Sequence, residues 1–225
     1  HWVADVGING KPAVMMLDTG ATGTHLFRPA VERLNPHISD MRYSITSGSG
    51  GSTNVRAVVI EAFTLGGLVT QALTVPELVG TQFDGKGYDG ILGMDVLGRY
   101  DIDVDLPNAA LSLYRQRFCP MGAAPFPGPS TTLRRNDLGL SRSNRPVVEA
   151  RLNGRPIRSL LDTGATFTSI DDAKATAAGG TTPTDGGAAT GRASTAVAAS
   201  VEFRRLKFTD LNVGGITYRN PTLWT

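Results

Sequence analysis

The sequence predicts an all-β protein made of two similar lobes. Three observations lead to this prediction: one segment of the chain occurs twice, apolar and polar residues alternate in short runs broken by turn residues, and helical patterns are brief. The 225 residues are sufficient for two domains that each have a core. We therefore expect two β lobes related by an approximate two-fold axis, with a cleft between them.

The duplicated segment covers residues 3–26 and 147–170. The two sequences, VADVGINGKPAVMMLDTGATGTHL and VVEARLNGRPIRSLLDTGATFTSI, align without a gap at an offset of 144, and 11 of their 24 positions are identical. A looser match follows between residues 64–75 and 212–223 at an offset of 148. Self-similarity of this extent indicates that the two halves share one fold.

Turn residues mark where the predicted strands are joined. Asn9-Gly10 and Asn153-Gly154 each predict a tight type I′ hairpin, because both residues of the pair tolerate positive φ. Gly66-Gly67 predicts a further turn, and the alternating residues 101–114, DIDVDLPNAALSLY, predict a hairpin that we expect to join an inter-lobe sheet. The helical patterns are limited to RPAVERL from Arg28 and DDAKATAA from Asp171, the second with an aspartate N-cap.

The domain boundary is predicted in a segment rich in proline and glycine. Residues 119–142 begin with CPMGAAPFPGPSTT, a composition typical of an exposed linker. This places the first lobe at residues 1–118 and the second at residues 143–225. One continuous domain with a long loop is the alternative interpretation.

Composition excludes several classes of function. The 22 basic and 20 acidic side chains leave no charged patch for nucleic acid, and no apolar run is long enough for a membrane span. The first residues have no signal-peptide pattern. Cys119 is the single cysteine, and the three histidines do not recur between the halves, so the sequence predicts no metal site and no cofactor.

The two DTGAT motifs contain the strongest candidates for catalytic residues. Each places an aspartate, Asp18 or Asp162, directly after an apolar run, where a charge is costly unless donors or a shared proton satisfy it. The glycine of each motif permits a turn that points backbone N–H groups at the carboxylate. On duplicated lobes the two carboxylates can face each other, share one proton, and act as a base and an acid toward a water molecule.

Three features together resemble the pepsin and retropepsin superfamily of aspartic peptidases. They are the paired DTGA motifs, the glycine-rich TSGSGGST at residues 46–53, and YDGILGMDVL at residues 88–97. The sequence is most similar to single-chain proteins with two retropepsin-like halves. In that family the two carboxyl groups share one proton and have pKa values that are pushed apart.

The resemblance implies an aspartic-type endopeptidase that hydrolyses peptide bonds with an activated water. Its substrate would be a polypeptide, no metal or cofactor would be needed, and one chain would suffice for the site. The resemblance to this family also favours a secreted or periplasmic location. The implied site residues are the catalytic Asp18 and Asp162; the loop residues Thr19, Gly20, Ala21, Thr163, Gly164 and Ala165; the apolar-apolar-Gly support Ile91, Leu92 and Gly93; and the flap residues Gly48, Ser49, Gly50 and Gly51.

Three departures from the family pattern lead to further expectations. By the repeat offset, a second apolar-apolar-Gly segment would start around residue 235, beyond Thr225. The second flap candidate, residues 179–195, contains no tyrosine. Ala21 and Ala165 stand where pepsin-like sites have a hydroxyl donor to the carboxylate, which predicts a pH optimum nearer neutral than that of pepsin.

A rival interpretation from another functional class remains open. The chain could be a peptide-binding module that keeps the two-lobed cleft without cleaving. Retention of both aspartates counts against this interpretation, and the lack of a second apolar-apolar-Gly segment counts for it. A phosphate loop at SGSGGST is not supported, because no lysine follows at the required spacing.

Overall fold

The computed structural model describes residues 2–47, 51–70, 72–79, 87–105, 107–114, 134–135, 144–184, 190–193 and 201–225. The regular structure is mainly β and forms two lobes, which confirms the predicted fold class. None of the helices in these ranges has both the length and the apolar character needed to span a bilayer.

The first lobe contains eleven of the described strands and two short helices. The strands are β1 (Val3–Ile8), β2 (Lys11–Leu17), β3 (His25–Phe27), β4 (His37–Ser47), β5 (Gly51–Ile60), β6 (Phe63–Leu65), β7 (Leu68–Thr70), β8 (Leu73–Leu78), β9 (Gly90–Leu92), β10 (Asp101–Asp105) and β11 (Ala110–Tyr114), and the helices are α1 (Arg28–Leu34) and α2 (Met94–Leu97).

The second lobe contains the remaining described strands and one helix. These are β12 (Arg134–Arg135), β13 (Pro146–Leu152), β14 (Arg155–Leu160), β15 (Thr190–Ala193), β16 (Val201–Lys207), β17 (Asp210–Val213), β18 (Ile216–Arg219), β19 (Thr222–Trp224) and α3 (Asp172–Ala177).

Both predicted Asn-Gly hairpins are confirmed. Asn9 and Gly10 have φ values of 50° and 75°, and Asn153 and Gly154 have 48° and 75°. Each asparagine also accepts hydrogen bonds from the backbone that leads into or out of a later strand: the Oδ1 of Asn9 from the N–H groups of residues 61 and 62, and that of Asn153 from residues 209 and 210. The turn residue therefore holds a distant strand in the same way in both lobes.

The first lobe is organised around one large sheet. Nine strands lie in the order β4-β5-β8-β3-β9-β2-β1-β6-β7. The central strand β9 pairs in parallel with β2 and antiparallel with β3. The main core lies against this sheet and includes Ile8, Leu26, Ile60, Phe63 and Leu92, all fully buried.

The second lobe repeats the pattern on a smaller scale. In the first lobe, β1 pairs with β2 and β6, and β6 pairs with β7. In the second lobe, β13 pairs with β14 and β17, and β17 pairs with β18, in the same arrangement. Its core is a smaller cluster that includes Leu152, Leu206, Phe208 and Leu223. Within the described ranges β14 pairs with β13 alone, so this sheet contains no strand at the place that β9 occupies in the first lobe.

Both predicted helices are present. RPAVERL forms α1, and the second pattern forms α3, whose N-cap Asp171 accepts a hydrogen bond from the N–H of Lys174. The four-residue helix α2 was not predicted.

The predicted hairpin at residues 101–114 is present, but the prediction that it joins an inter-lobe sheet is wrong for the described residues. β10 and β11 form a separate two-stranded sheet among the described residues. Ile102, Leu111 and Leu113 pack against the first-lobe core, so burial of these apolar side chains decides where the hairpin lies. In the predicted linker, only Arg134–Arg135 is described, and this pair is a short strand against β13.

Candidate active site

The two DTG loops follow equivalent strands and hold their aspartates in the same way. Asp18 comes directly after β2, and its Oδ1 accepts hydrogen bonds from the N–H groups of Gly20 at 2.8 Å and Ala21 at 2.9 Å. The Oδ1 of Asp162 accepts from Gly164 at 2.8 Å and from Ala165 at 3.1 Å. The glycine turn predicted from the sequence thus supplies two backbone donors to each carboxylate.

Two threonines lock the loops to each other. The N–H of Thr19 donates to the Oγ1 of Thr163 at 3.0 Å, and the N–H of Thr163 donates to the Oγ1 of Thr19 at 3.1 Å. Each hydroxyl then donates across the lobe boundary, Thr19 to the carbonyl of Leu161 at 2.6 Å and Thr163 to the carbonyl of Leu17 at 2.8 Å. These hydrogen bonds fix the relative position of the two aspartates.

The glycines allow the two loops to approach closely. A Cβ atom added to Gly20 would collide with the carboxyl group of Asp162, and one added to Gly164 would collide with that of Asp18. Only glycine leaves room for a carboxylate at this position. As a result, each carboxyl group packs against the glycine of the opposite loop, and the two carboxyl groups are close enough to affect each other's charge.

The Ile-Leu-Gly segment lies directly beneath the first loop. The carbonyl of Leu92 accepts from the N–H of Asp18 at 3.1 Å, and the N–H of Met94 donates to the carbonyl of Ala21 at 3.0 Å. Gly93 packs so tightly on the backbone of Gly23 that a Cβ atom would not fit. This segment braces the Asp18 loop at both of its ends.

The second loop is more open than the first. Leu17, which pairs with Leu92 of β9, is 5% exposed, whereas its counterpart Leu161 is 50% exposed. Asp18 is half-buried and Asp162 is exposed. The difference follows from β9, which covers one loop and has no described counterpart at the other.

Burial and charge act together on Asp18. The pKa of its carboxyl rises from 3.8 to about 6, first because burial desolvates the group and next because the negative charge of Asp162 lies beside it. The amides of Ala21 and Gly20 oppose this rise. Asp18 therefore keeps its proton at pH values well above those at which an aspartate usually ionises.

Some residues at the site were not predicted. Arg145 of the second lobe donates from Nη1 to the carbonyl of Gly20 at 3.2 Å. The buried Thr24 donates to the Oδ1 of Asp95 at 2.7 Å and accepts from the N–H of Gly93 at 3.2 Å. Thr24 has a threonine, Thr168, at the equivalent position of the repeat, and this identity could have identified it. Arg145 has His1 as its counterpart, so the repeat did not mark it.

Other polar residues near the site have structural contacts. Asp89 accepts from the N–H of Val14 at 2.9 Å and pairs with Arg33 at 2.7 Å. His25 lies on β3, where burial lowers its pKa. No set of three His, Cys, Asp or Glu side chains in the described ranges gathers closely enough to hold a metal ion.

The predicted flap belongs to the long hairpin of β4 and β5. Its tip residues Gly48, Ser49 and Gly50 lie outside the described residues, and Gly51 begins β5 and pairs with Ser47. Ile45 of this hairpin packs against a cluster of Met16, Phe27, Leu78 and Ile91 beside the Asp18 loop.

Three solved structures are among those similar to this chain. One is a retropepsin-like aspartic protease from Rickettsia conorii (18% identity, TM-score 0.36, covering 46% of this chain and 75% of that one). The others are the retroviral protease-like domain of Ddi1 from Leishmania major (16%, TM-score 0.33, covering 50% and 85%) and the aspartic proteinase from Irpex lacteus (19%, TM-score 0.47, covering 96% and 74%). A search of curated proteins gave no match.

The match to a sequence family is more extensive. A family model described as aspartyl protease matches residues 4–96 and 148–225, which together are most of the chain. Each matched segment contains one of the two facing aspartates. By this match, the chain belongs to the aspartyl protease family.

Proposed function

We propose that this protein is an aspartic endopeptidase that hydrolyses peptide bonds of a polypeptide in the cleft between its lobes. The observation that supports this proposal most strongly is the juxtaposition of Asp18 and Asp162, which comes with a raised pKa for Asp18. Perturbed carboxyl pairs of this kind are typical of functional sites. One chain supplies both carboxylates, so a monomer is sufficient for the site.

Burial suggests how the two carboxyl groups divide the reaction. The more buried Asp18 holds the shared proton, and the exposed Asp162 is the base that takes a proton from a water molecule. The water oxygen bonds to the peptide carbon while Asp18 gives its proton to the carbonyl oxygen. The C–N bond then breaks as Asp162 gives its proton to the departing nitrogen. Asp18 takes a proton back from a hydroxyl of the tetrahedral intermediate, so the pair returns to its singly protonated state.

The lobes of this enzyme are proposed at residues 1–118 and 143–225, with residues 119–142 between them. Within the described ranges, β1 to β11 pair only among themselves and β13 to β19 likewise, which supports this division. Strand β12, which lies in the segment between the lobes, pairs with β13 of the second lobe. Thr19 and Thr163 then hold the lobes together at the centre of the site.

The pH dependence of cleavage follows from the shared proton. Catalysis needs the pair with one proton, so kcat/KM is expected to fall as the pH rises through about 6, where Asp18 ionises. Ala21 and Ala165 offer no side-chain donor that would favour the charged form. A pH–rate profile with a synthetic peptide measures this limb, and an optimum well below pH 3 would contradict the prediction.

A peptide-binding module without catalysis is the second candidate. The exposed Asp162 loop favours it, since the second carboxylate is less enclosed than the first. So does the outer edge of β14, which pairs with no further strand within the described residues.

Cleavage of casein or of a peptide library, with and without a statine-type inhibitor, separates the two candidates. An endopeptidase is expected to generate new termini, to be blocked by the inhibitor, and to be unaffected by EDTA or by serine- and cysteine-directed reagents. Binding of peptides without inhibitor-sensitive cleavage would support the module instead.

A further inference from the structure

Arg145 lies just before the first strand of the second lobe and reaches across to the Asp18 loop of the first lobe. Its Nη1 donates to the carbonyl of Gly20 at 3.2 Å. The preceding residue, Asn144, packs on Gly98 at the end of α2, where an added Cβ atom would lie 3.0 Å from the Cβ of Asn144. The segment is thus seated on the first lobe at two places. The contact with Gly20 has no role in the mechanism above.

One peptide group connects the arginine to the carboxylate of Asp18. The carbonyl that Arg145 holds and the N–H of Ala21 belong to the same peptide group. That N–H donates to the Oδ1 of Asp18 at 2.9 Å, which is shorter than its 3.3 Å contact with the Asp18 carbonyl. A cation that donates to the oxygen of a peptide group polarises the group and makes its N–H a stronger donor. The guanidinium therefore acts on the carboxylate through this peptide group.

The two aspartate loops differ at this hydrogen bond. The glycine amides donate to their aspartates at the same distance, 2.8 Å in both loops. The alanine amides do not, since Ala21 donates at 2.9 Å and Ala165 at 3.1 Å. By the repeat offset, the counterpart of Arg145 is a histidine, His1, which lies outside the described residues. The shorter bond is the one whose peptide group is held by the arginine.

The hydrogen bond from Ala21 affects the proton on Asp18. Burial and the charge of Asp162 raise the pKa of Asp18, and of the two loop amides that lower it, that of Ala21 has the larger effect. A donor favours the charged form of a carboxyl group, and a stronger donor favours it more. Arg145 is therefore placed to oppose the rise in pKa by strengthening this donor.

Other ionisable groups lie on the elements around the Asp18 loop. They are His25 on β3, Tyr88 and Asp89 before β9, Asp95 on α2 and Asp162 on the opposite loop. Burial lowers the pKa of His25 and raises that of Tyr88, so it favours the neutral form of each. Donors within the first lobe already bind Asp89 and Asp95. The charge that raises the pKa of Asp18 is that of Asp162, and the loop amides oppose it.

We propose that Arg145 is a positioning residue: by holding the Gly20 carbonyl, it strengthens the amide donor to Asp18 and so sets the upper pH limit of cleavage. The inference rests on the proposed function. Loss of the arginine should weaken the donor, so Asp18 should keep its proton to a higher pH. Polarisation strengthens a hydrogen bond by about 10–30%, which for a bond to a charged group predicts an upward shift of about 0.5 pH unit.

Arg145→Met removes the donor and keeps an unbranched apolar side chain. The descending limb of the pH–rate profile should move up by about 0.5 pH unit, so kcat/KM at pH 7 should rise about threefold. At pH 4.5, where Asp18 is already protonated, kcat/KM should stay within about twofold of the original value. Arg145→Lys keeps a charged donor and should return the limb toward its original position.

The matched control is Arg151→Met. Arg151 also donates to a glycine carbonyl of the second lobe, that of Gly154 at 3.1 Å, but at the hairpin turn between β13 and β14. Its replacement should leave the pH–rate profile unchanged. If Arg145 only held the lobes together, its loss would lower kcat/KM by the same factor at pH 4.5 and pH 7. That result, or a limb that does not move, would overturn the proposal.

A second measurement does not depend on cleavage. Carboxyl ¹³C NMR of protein labelled at aspartate follows the ionisation of Asp18, with Asp18→Asn to assign its signal. In Arg145→Met the upper titration step of the pair should move up by about 0.5 pH unit. The carbonyl ¹³C signal of Gly20 and the amide ¹H signal of Ala21 should shift upfield, whereas the equivalent signals of the second loop should not.

The NMR result separates this proposal from the proposed function. Shifts of the expected size in a protein that cleaves no peptide would refute the endopeptidase and leave the role of Arg145 in place. A carboxyl signal of Asp18 that titrates at the same pH with and without the arginine would overturn the role, whether or not the protein cleaves.

Discussion

Asp18→Asn and Asp162→Asn are each expected to lower kcat by about 10⁴-fold or more while KM changes little. An amide can keep the hydrogen bonds that the loop amides donate to Oδ1, so the loop geometry should survive either change. An amide can neither carry the shared proton nor take one from water. The two losses should not add in a double variant, because the carboxyl groups act as one unit.

Steady-state kinetics with a peptide substrate measures these losses, and Asp101→Asn is the matched control. Asp101 is exposed on β10, so its replacement should leave kcat unchanged. Residual activity above a few per cent in either dyad variant would refute the mechanism. Equal activity of all the variants would remove the assignment of these aspartates altogether.

Asp18→Asn should also show how much the Asp18 carboxylate reduces the stability of the folded protein. The folded protein binds the Asp18 proton more tightly than the unfolded chain does, so stability decreases as the pH rises from about 4 to about 6. Removal of this carboxylate should therefore raise Tm at pH 7.5 and have a smaller effect at pH 4, where Asp18 is already protonated. Thermal unfolding at both pH values measures the difference, and a Tm gain of equal size at both would contradict this origin.

Glu77→Gln is expected to destabilise the first lobe by about 3 kcal/mol. The Glu77 side chain is 0% exposed and pairs with Arg28 at 3.1 Å and with Arg56 through two contacts. Burial alone would raise the pKa of this carboxyl, but the hydrogen bonds and charges of Arg56 and Arg28 outweigh that effect and lower it. The neutral amide would leave two partly buried guanidinium groups without the negative charge that they pair with.

The second lobe supplies the matched control for this prediction. Arg204 is the repeat counterpart of Arg56, and it pairs with Asp172, whose side chain is 65% exposed. Exposed pairs of this kind contribute about 1 kcal/mol or less, so Asp172→Asn should change stability little. Urea unfolding of both variants provides the comparison, and equal losses would show that burial of Glu77 is not the cause.

Much of the fold could be predicted because the signals were local. The Asn-Gly pairs, the helix pattern at Arg28 and the Asp171 N-cap all depend on interactions within a few residues. The repeat then allowed each observation in one half to be checked in the other. The hairpin at residues 101–114 was placed wrongly because alternation predicts strands without saying which apolar surface will cover them.

Two β lobes, each with one aspartate in a glycine turn, could be predicted from the amino-acid sequence. Those features depend on backbone conformations that particular residue types permit or forbid. The difference in burial between the two aspartate loops, in contrast, arises from the packing of the folded chain. Contacts between segments far apart in the chain place β9 beneath the Asp18 loop, leave Asp162 exposed, and bring the rings of Phe167, Phe203 and Trp224 together. The proton affinity of a carboxyl group depends on everything that surrounds it in the folded protein, which no local pattern specifies.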